Sequence, residues 1–203
     1  MASPTQLSVV AGEAAHCTRC DLYERATQTV FGEGPAPAPL MFVGEQPGDQ
    51  EDRAGHPFVG PAGRLLDEGL VAAGIDRGTV YVTNAVKHFK WTARGKRRIH
   101  ERPNAAEVKA CTYWLDREVE IVDPDLLVAL GATALRPLFT GKATVSALRG
   151  AVQESRFGVP TVVTVHPSSI IRIQDPGERE DQFTAFVRDL RLAADTAGEL
   201  AAH

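Results

Sequence analysis

The chain has 203 residues, 43% hydrophobic and 24% charged, with 18 glycines and 13 prolines, a composition that suits one globular domain with its own core and excludes a disordered or fibrous chain. Its 22 basic and 26 acidic residues give a net charge of -4, which excludes a surface that is basic throughout but not a local basic patch. Apolar runs such as Leu126–Leu130 and Thr161–Val165 fall far short of the roughly 20 residues that span a bilayer, and the opening Met-Ala-Ser-Pro-Thr lacks the features of a secretory signal, so a cytosolic protein with no membrane partner is expected.

In chain order, the first cluster able to carry chemistry is Cys17-Thr-Arg-Cys20, a C-x-x-C pair and by itself half of a metal site. The odd count of three cysteines in a reducing compartment speaks for metal ligation or buried thiols rather than a disulfide framework. Gly34-Pro-Ala-Pro-Ala-Pro39 reads as a stiff connector inside one domain. Leu40–Gly44 is a continuous apolar run, as in a strand buried on both faces of a parallel sheet. Gly44-Glu45-Gln46-Pro47-Gly48 follows where that strand meets a helix, and its glycines let a ligand approach the backbone closely, although many turns share the pattern. Asp49, Glu51, Asp52 and Arg53 come next. In His56-Pro57-Phe58-Val59-Gly60 the phenylalanine can stack on a base or anchor its own loop.

Leu66, Leu70 and Ala73 repeat at helical spacing and stop at Gly74. Val80–Asn84 is the second predicted strand. Asn84 at its end offers a donor beside an acceptor, fit to read a base edge or to make a turn. From Lys87 to Arg102 stand Lys87, Lys90, Arg94, Lys96, Arg97, Arg98 and Arg102 against the single acid Glu101; this basic loop is solvated surface or a phosphate contact. Asn104 with Glu107 three residues on opens a helix with the stripe Val108, Cys111, Leu115, Val119 and Val122. Cys111 on that stripe is a small buried hydrophobe or a third sulfur ligand, and His88 is the nearest imidazole. Such ligands fit zinc or an iron–sulfur cluster alike.

Leu126–Leu130 and Thr161–Val165 supply the third and fourth strands, with a helix beginning near Gly131 between them. His166-Pro167-Ser168-Ser169 sets proline in a first helical turn beside serines and free N–H groups, a phosphate site or a plain helix cap. A last helix carries Phe183, Phe186, Val187, Leu190 and Ala194 on one face. Strands alternating with helices predict an α/β fold, a three-layer α/β/α sandwich with a short four-stranded parallel sheet. Ligands of such sheets bind beyond the carboxyl ends of the strands, so the clusters after Gly44, at Asn84 and after Val165 should converge on one rim.

Together these residues resemble the uracil-DNA glycosylase superfamily, in particular its iron–sulfur branch, family 4 and the UdgX-type proteins, over nearly the whole chain. Gly44-Glu-Gln-Pro-Gly48 is similar to the family 4 motif with Gln46 in place of alanine, the UdgX form. Cys17, Cys20 and Cys111 match three of four cluster cysteines, with His88 where the fourth would stand, and Lys96-Arg-Arg-Ile-His100 is an insertion that UdgX proteins carry and family 4 enzymes do not. The resemblance implies residues 1–203 as a single domain with an N-terminal cluster-binding segment, and a 4Fe-4S cluster on Cys17, Cys20, His88 and Cys111. It implies binding of uracil in DNA, preferably single-stranded, cleavage of the N-glycosidic bond, and irreversible capture of the sugar C1′ by His100.

In that reading Gly44, Gln46, Asp49, Phe58, Asn84 and His166 hold the uracil, and His166 stabilises charge growing on its O2. Glu45 orients His100, while Lys96, Arg97, Arg98, Ser168 and Ser169 contact DNA and Arg98 also pins His100. A monomer that joins the nucleoid on DNA damage is expected. Two rivals remain: a multiple-turnover glycosylase of the family 4 kind, and a zinc-stabilised DNA-binding module without activity.

Overall fold

A computed structural model describes residues 4–202; Met-Ala-Ser at the start, on which the expectation of no secretory signal partly rests, lies outside them. In chain order the elements are α1 (Pro4–Ala14), β1 (Leu40–Gly44), α2 (Asp49–Ala54), α3 (Pro61–Ala73), β2 (Val80–Asn84), β3 (Trp91–Arg94), β4 (Arg97–His100), α4 (Ala105–Val122), β5 (Leu126–Leu130), α5 (Ala132–Leu138), α6 (Val145–Leu148), β6 (Val152–Glu154), β7 (Pro160–Thr164), α7 (Pro167–Ile171) and α8 (Pro176–Ala201). Among the described residues no helix is long and apolar enough to cross a membrane.

The main sheet has the order β2-β1-β5-β7-β6. Its first four strands are the expected parallel set, in register Leu40 with Val80 and Leu126, and Leu127 with Thr161. The expected count of four is corrected to five, because β6 adds an antiparallel edge along β7. Its three residues are short and largely exposed, so they leave no apolar run to read. The last parallel strand also begins and ends one residue earlier than the apolar run suggested.

Alternation along the strands sends side chains to two faces. Leu40, Phe42, Val82, Val128 and Val162 pack with Leu66 and Leu70 of α3 and Phe186 and Leu190 of α8. Met41, Val43, Tyr81, Leu127 and Val163 pack on the other side with Leu115, Val119 and Val122 of α4 and Leu135 of α5. Each fully buried side chain of this kind contributes about 1.5–3 kcal/mol, and the two faces together make the three-layer sandwich. Helix ends follow the sequence signals: Gly74 closes α3 in the left-handed conformation, and Asn104 and Glu107 exchange side-chain to main-chain hydrogen bonds at the start of α4.

A third, smaller cluster joins Val10 and Ala14 of α1 to Cys17, Leu22, Val86, Val108, Cys111 and Trp114. The basic segment departs from expectation. It is a two-stranded antiparallel hairpin, β3 against β4, with Trp91 opposite His100 and Ala93 opposite Arg98. The turn is made at Gly95, whose φ of 61° suits glycine.

Candidate active site

In the strand order, β2 lies on one side of β1 and β5 on the other, so the crevice between the segments leaving β1 and β5 is the topological switch point. A cleft of about 690 Å³ opens there, lined by Glu45, Gln46, Phe58, Asn84, His100 and His166 among others. Glu45 and Gln46 follow β1, Asn84 ends β2 and His166 follows β7, so the three clusters expected on one rim do meet there.

Gly44 is needed for its lack of a side chain: a Cβ there would stand 2.5 Å from Asn84 Oδ1 and 2.7 Å from Phe58 Cζ. The ring and the amide therefore close over its backbone. Asn84 is 3% exposed, and among the described residues no hydrogen bond to its side-chain amide is recorded, so both donor and acceptor are available to a ligand. Phe58 adopts φ 56°, a left-handed conformation that bulky residues rarely take. It is held there by α3, since a Cβ on Gly63 would fall 1.7 Å from the Phe58 carbonyl oxygen. Strain of this kind persists where surrounding packing fixes a functional side chain. The Phe58 ring lies 6.3 Å from the ring of His166, the two planes inclined by 29°.

Glu45 and His100 meet across the cleft, Nε2 to Oε1 at 3.2 Å, with Arg102 Nε 3.5 Å from the other oxygen. The buried hydroxyl of Thr133 also donates to Glu45. Burial pushes this carboxyl up, but the hydrogen bonds from His100 and Thr133 and the charges of His100 and Arg102 outweigh it and hold it at about 2. His166 is driven down to about 4, first by burial, with Arg172 and His100 adding to the shift against the opposing charge of Glu45. Its Nδ1 accepts from the main-chain N–H of Ser168 at 3.2 Å and lies 2.9 Å from the Ser168 hydroxyl. The neutral ring accordingly carries its proton on Nε2, free to donate.

Over residues 31–191 the chain matches the model of the uracil DNA glycosylase superfamily. The chain is 39% identical over 167 residues to a Type-4 uracil-DNA glycosylase of Thermotoga maritima, covering 82% of this chain and 83% of the relative. The chain belongs to the uracil-DNA glycosylase superfamily. A Type-4 uracil-DNA glycosylase of Archaeoglobus fulgidus is 36% identical over 185 residues, 87% of this chain and 89% of the relative. A Type-5 uracil-DNA glycosylase of Pyrobaculum aerophilum is 36% identical over 99 residues, 48% of this chain and 40% of the relative.

Several residues do other work in this superfamily member than expected. Gln46 does not offer its amide to the cleft: Nε2 donates to the carbonyls of Lys90 and Glu101 at 3.2 and 3.1 Å, and Oε1 accepts from Lys90 N–H at 3.1 Å. It clamps the two limbs of the hairpin together. Asp49 and Arg98 are paired with each other, Nε to Oδ1 at 2.5 Å, and Arg98 Nη1 reaches buried Asp52 at 2.6 Å. Asp49 lines the cleft but its carboxylate is committed to Arg53 and Arg98, and Arg98 is an anchor of the hairpin rather than a phosphate grip. Lys87, counted in the basic run, is fully buried. Lys96 and Arg97 remain exposed at the hairpin turn. The Ser169 hydroxyl is turned to the His166 carbonyl at 2.7 Å, so only Ser168, on the cleft wall, is placed near a ligand.

Glu51, Thr133, Arg102 and Arg172 escaped the sequence reading as site residues. Glu51 takes the N–H groups of Gly48 and Gly60 at 3.1 and 2.7 Å, tying the first cluster to the Phe58 loop. Its position between two glycine turns was the available signal. For Thr133 none existed, since its partner Glu45 is 88 residues away.

The cysteines do come together. Cys17 and Cys111 are buried in one cluster, with Cys20 packed on it. Trp114 Nε1–H donates to the Cys17 sulfur at 3.0 Å and Lys87 N–H to that of Cys111 at 3.3 Å. Burial pushes the Cys111 thiol up to about 12, against the Lys87 N–H and charge. His88 follows directly, its Nε2 2.9 Å from Thr29 Oγ1 and its Nδ1 buried without a partner. Among the described residues, no three His, Cys, Asp or Glu side chains close round one ion position.

Proposed function

We propose that the protein is a uracil-DNA glycosylase that excises one uracil and is then trapped on the DNA through His100. The observation that supports this most is the pairing of His100 with ionised Glu45 in the same cleft as Asn84, Phe58 and His166. A base must leave the stack to be attacked, at a cost of a few kcal/mol in a duplex, which makes single-stranded DNA the better substrate. Phe58 stacks on the extruded uracil, Asn84 matches its edge, and Nε2–H of His166 donates to O2 as the glycosidic electrons move onto the base. The sugar is left as an oxocarbenium ion at C1′.

Water is a poor competitor for that cation. A carboxylate held at about 2 is a weak general base, and Gln46 cannot take a proton. With Nε2–H of His100 given to Glu45, the ring's other nitrogen carries the lone pair, and a tethered imidazole has an effective concentration that solvent lacks. Bond formation to C1′ makes an imidazolium, which Glu45 stabilises. Exposed Lys96 and Arg97 lie on the same hairpin, where they would meet phosphates.

The reading includes a 4Fe-4S cluster on Cys17, Cys20, Cys111 and His88. Support comes from three clustered sulfurs, two of which already accept N–H bonds, and from the orphaned buried Nδ1 of His88. When bound, the cluster would supply iron–thiolate bonds to the segment after α1 and to α4, and an iron–imidazole bond through His88 to the root of the hairpin. With uracil-DNA in large excess, uracil release should stop at one equivalent per protein. Release of many equivalents would instead make this a turnover enzyme like the Type-4 relatives.

A further inference from the structure

The chemistry above makes no use of Lys87 and Glu118, both fully buried and paired with each other. Lys87 Nζ also donates to Thr83 Oγ1 at 2.6 Å and to the Asn84 carbonyl at 2.7 Å. All three ammonium hydrogens therefore have acceptors. Glu118 Oε1 in turn accepts from Gly32 N–H at 3.0 Å, the Tyr81 hydroxyl at 3.0 Å and the Thr83 hydroxyl at 2.8 Å. A buried ion pair is weak as a source of stability, because removing two charges from water offsets their attraction; its better-attested use is to fix one arrangement. Here the arrangement fixed is the end of β2. Asn84 is the last residue of that strand, paired in register with Gly44, and its peptide carbonyl is held by the ammonium while its amide faces the cleft.

We infer that Lys87 is a positioning residue for base recognition: it sets the peptide plane after Asn84, and Glu118 holds its side chain in place. The inference rests on the reading of Asn84 as the group that meets the uracil edge. It also explains why a lysine in a basic segment is fully buried. The orienting contact is present before the base arrives, so its loss should weaken binding of ground state and transition state alike.

The test uses purified holoprotein in excess over a single-stranded oligonucleotide containing uracil, following excision in a single turnover as protein concentration is raised. Lys87→Met alone strands a buried carboxylate and is expected to fold poorly. Lys87→Met/Glu118→Gln removes both charges and leaves a carbonyl oxygen for Gly32, Tyr81 and Thr83. For the double variant the half-saturating concentration should rise at least about tenfold with the maximal rate within about threefold of wild type. Binding to the thymine oligonucleotide should not change. Glu118→Gln alone leaves the buried ammonium without its counter-charge and, like Lys87→Met, is expected to fold poorly, so the double variant is the one compared with wild type. Wild-type half-saturation in the double variant would overturn the inference, as would equal weakening toward uracil and thymine. A wild-type protein with no preference for uracil over thymine would instead overturn the reading of Asn84, and the inference with it.

Discussion

Glu45 accepts hydrogen bonds from Thr133 and His100 and sits 3.5 Å from Arg102, so under the proposed mechanism its charge orients an imidazole rather than activating water. His100→Ser should therefore abolish any covalent product while leaving uracil excision, read by release of the free base. Glu45→Gln keeps the shape but not the charge, and should slow capture by roughly two to four orders of magnitude. A pH prediction follows from the same cleft. The unfolded chain binds a proton at His166 near pH 6.5, whereas burial delays this to about 4 in the folded protein. Between these values the unfolded state holds more protons, so stability falls as pH drops through that window. Glu45, at about 2 against an ordinary 4.5, extends the loss below it. A His166→Asn variant should show a flatter thermal midpoint from pH 6.5 to 4 than wild type; equal slopes would assign the acid sensitivity elsewhere.

The hairpin β3–β4 is the element on which the proposal turns, and its attachments are unlike its composition. Gln46 clamps its limbs, Arg98 ties it to Asp49 and Asp52, and Trp91 Nε1–H donates to the Arg25 carbonyl at 2.9 Å. Arg98→Ala leaves Asp52, which is fully buried, without its counter-charge, and should cost about 3–5 kcal/mol of stability with little change in the salt dependence of DNA binding. Lys96→Ala and Arg97→Ala should do the reverse, each lowering the salt slope by about one at constant stability. The sequence showed the charge of this segment but not its structure. Four-residue strands carrying arginines have no apolar alternation, and the partners that sort Arg98 from Arg97 lie nearly fifty residues away in α2. The buried strands were legible because they are continuous apolar runs, and α3 and α4 because glycine or asparagine marks their ends. Gln46 was misread for the opposite reason: its place beside the cleft was visible, while its three hydrogen-bond partners on the hairpin limbs were not.

For the molecule as a whole, strand order places the polar clusters on one rim and leaves the cysteines on the far side of Lys87, packed between α1 and α4. The convergence of Gly44, Asn84 and His166 could be read from the chain because it needs only the rule that parallel sheets bind at their carboxyl ends. Burial of Lys87 could not, since Glu118 reaches it from the next helix. Cys111→Ala should lose iron and the visible absorption of an iron–sulfur protein, and with them the alignment of the segment from Val86 to His88. Colourless protein holding stoichiometric zinc would contradict the cluster assignment. The central claim is tested most directly by denaturing gel electrophoresis after mixing the protein with a single-stranded oligonucleotide containing uracil, beside the same oligonucleotide with thymine. A uracil-dependent band that survives boiling in SDS, and that His100→Ser does not form, is the expected result. Abasic, alkali-labile DNA with no such band would contradict covalent capture and leave a turnover glycosylase.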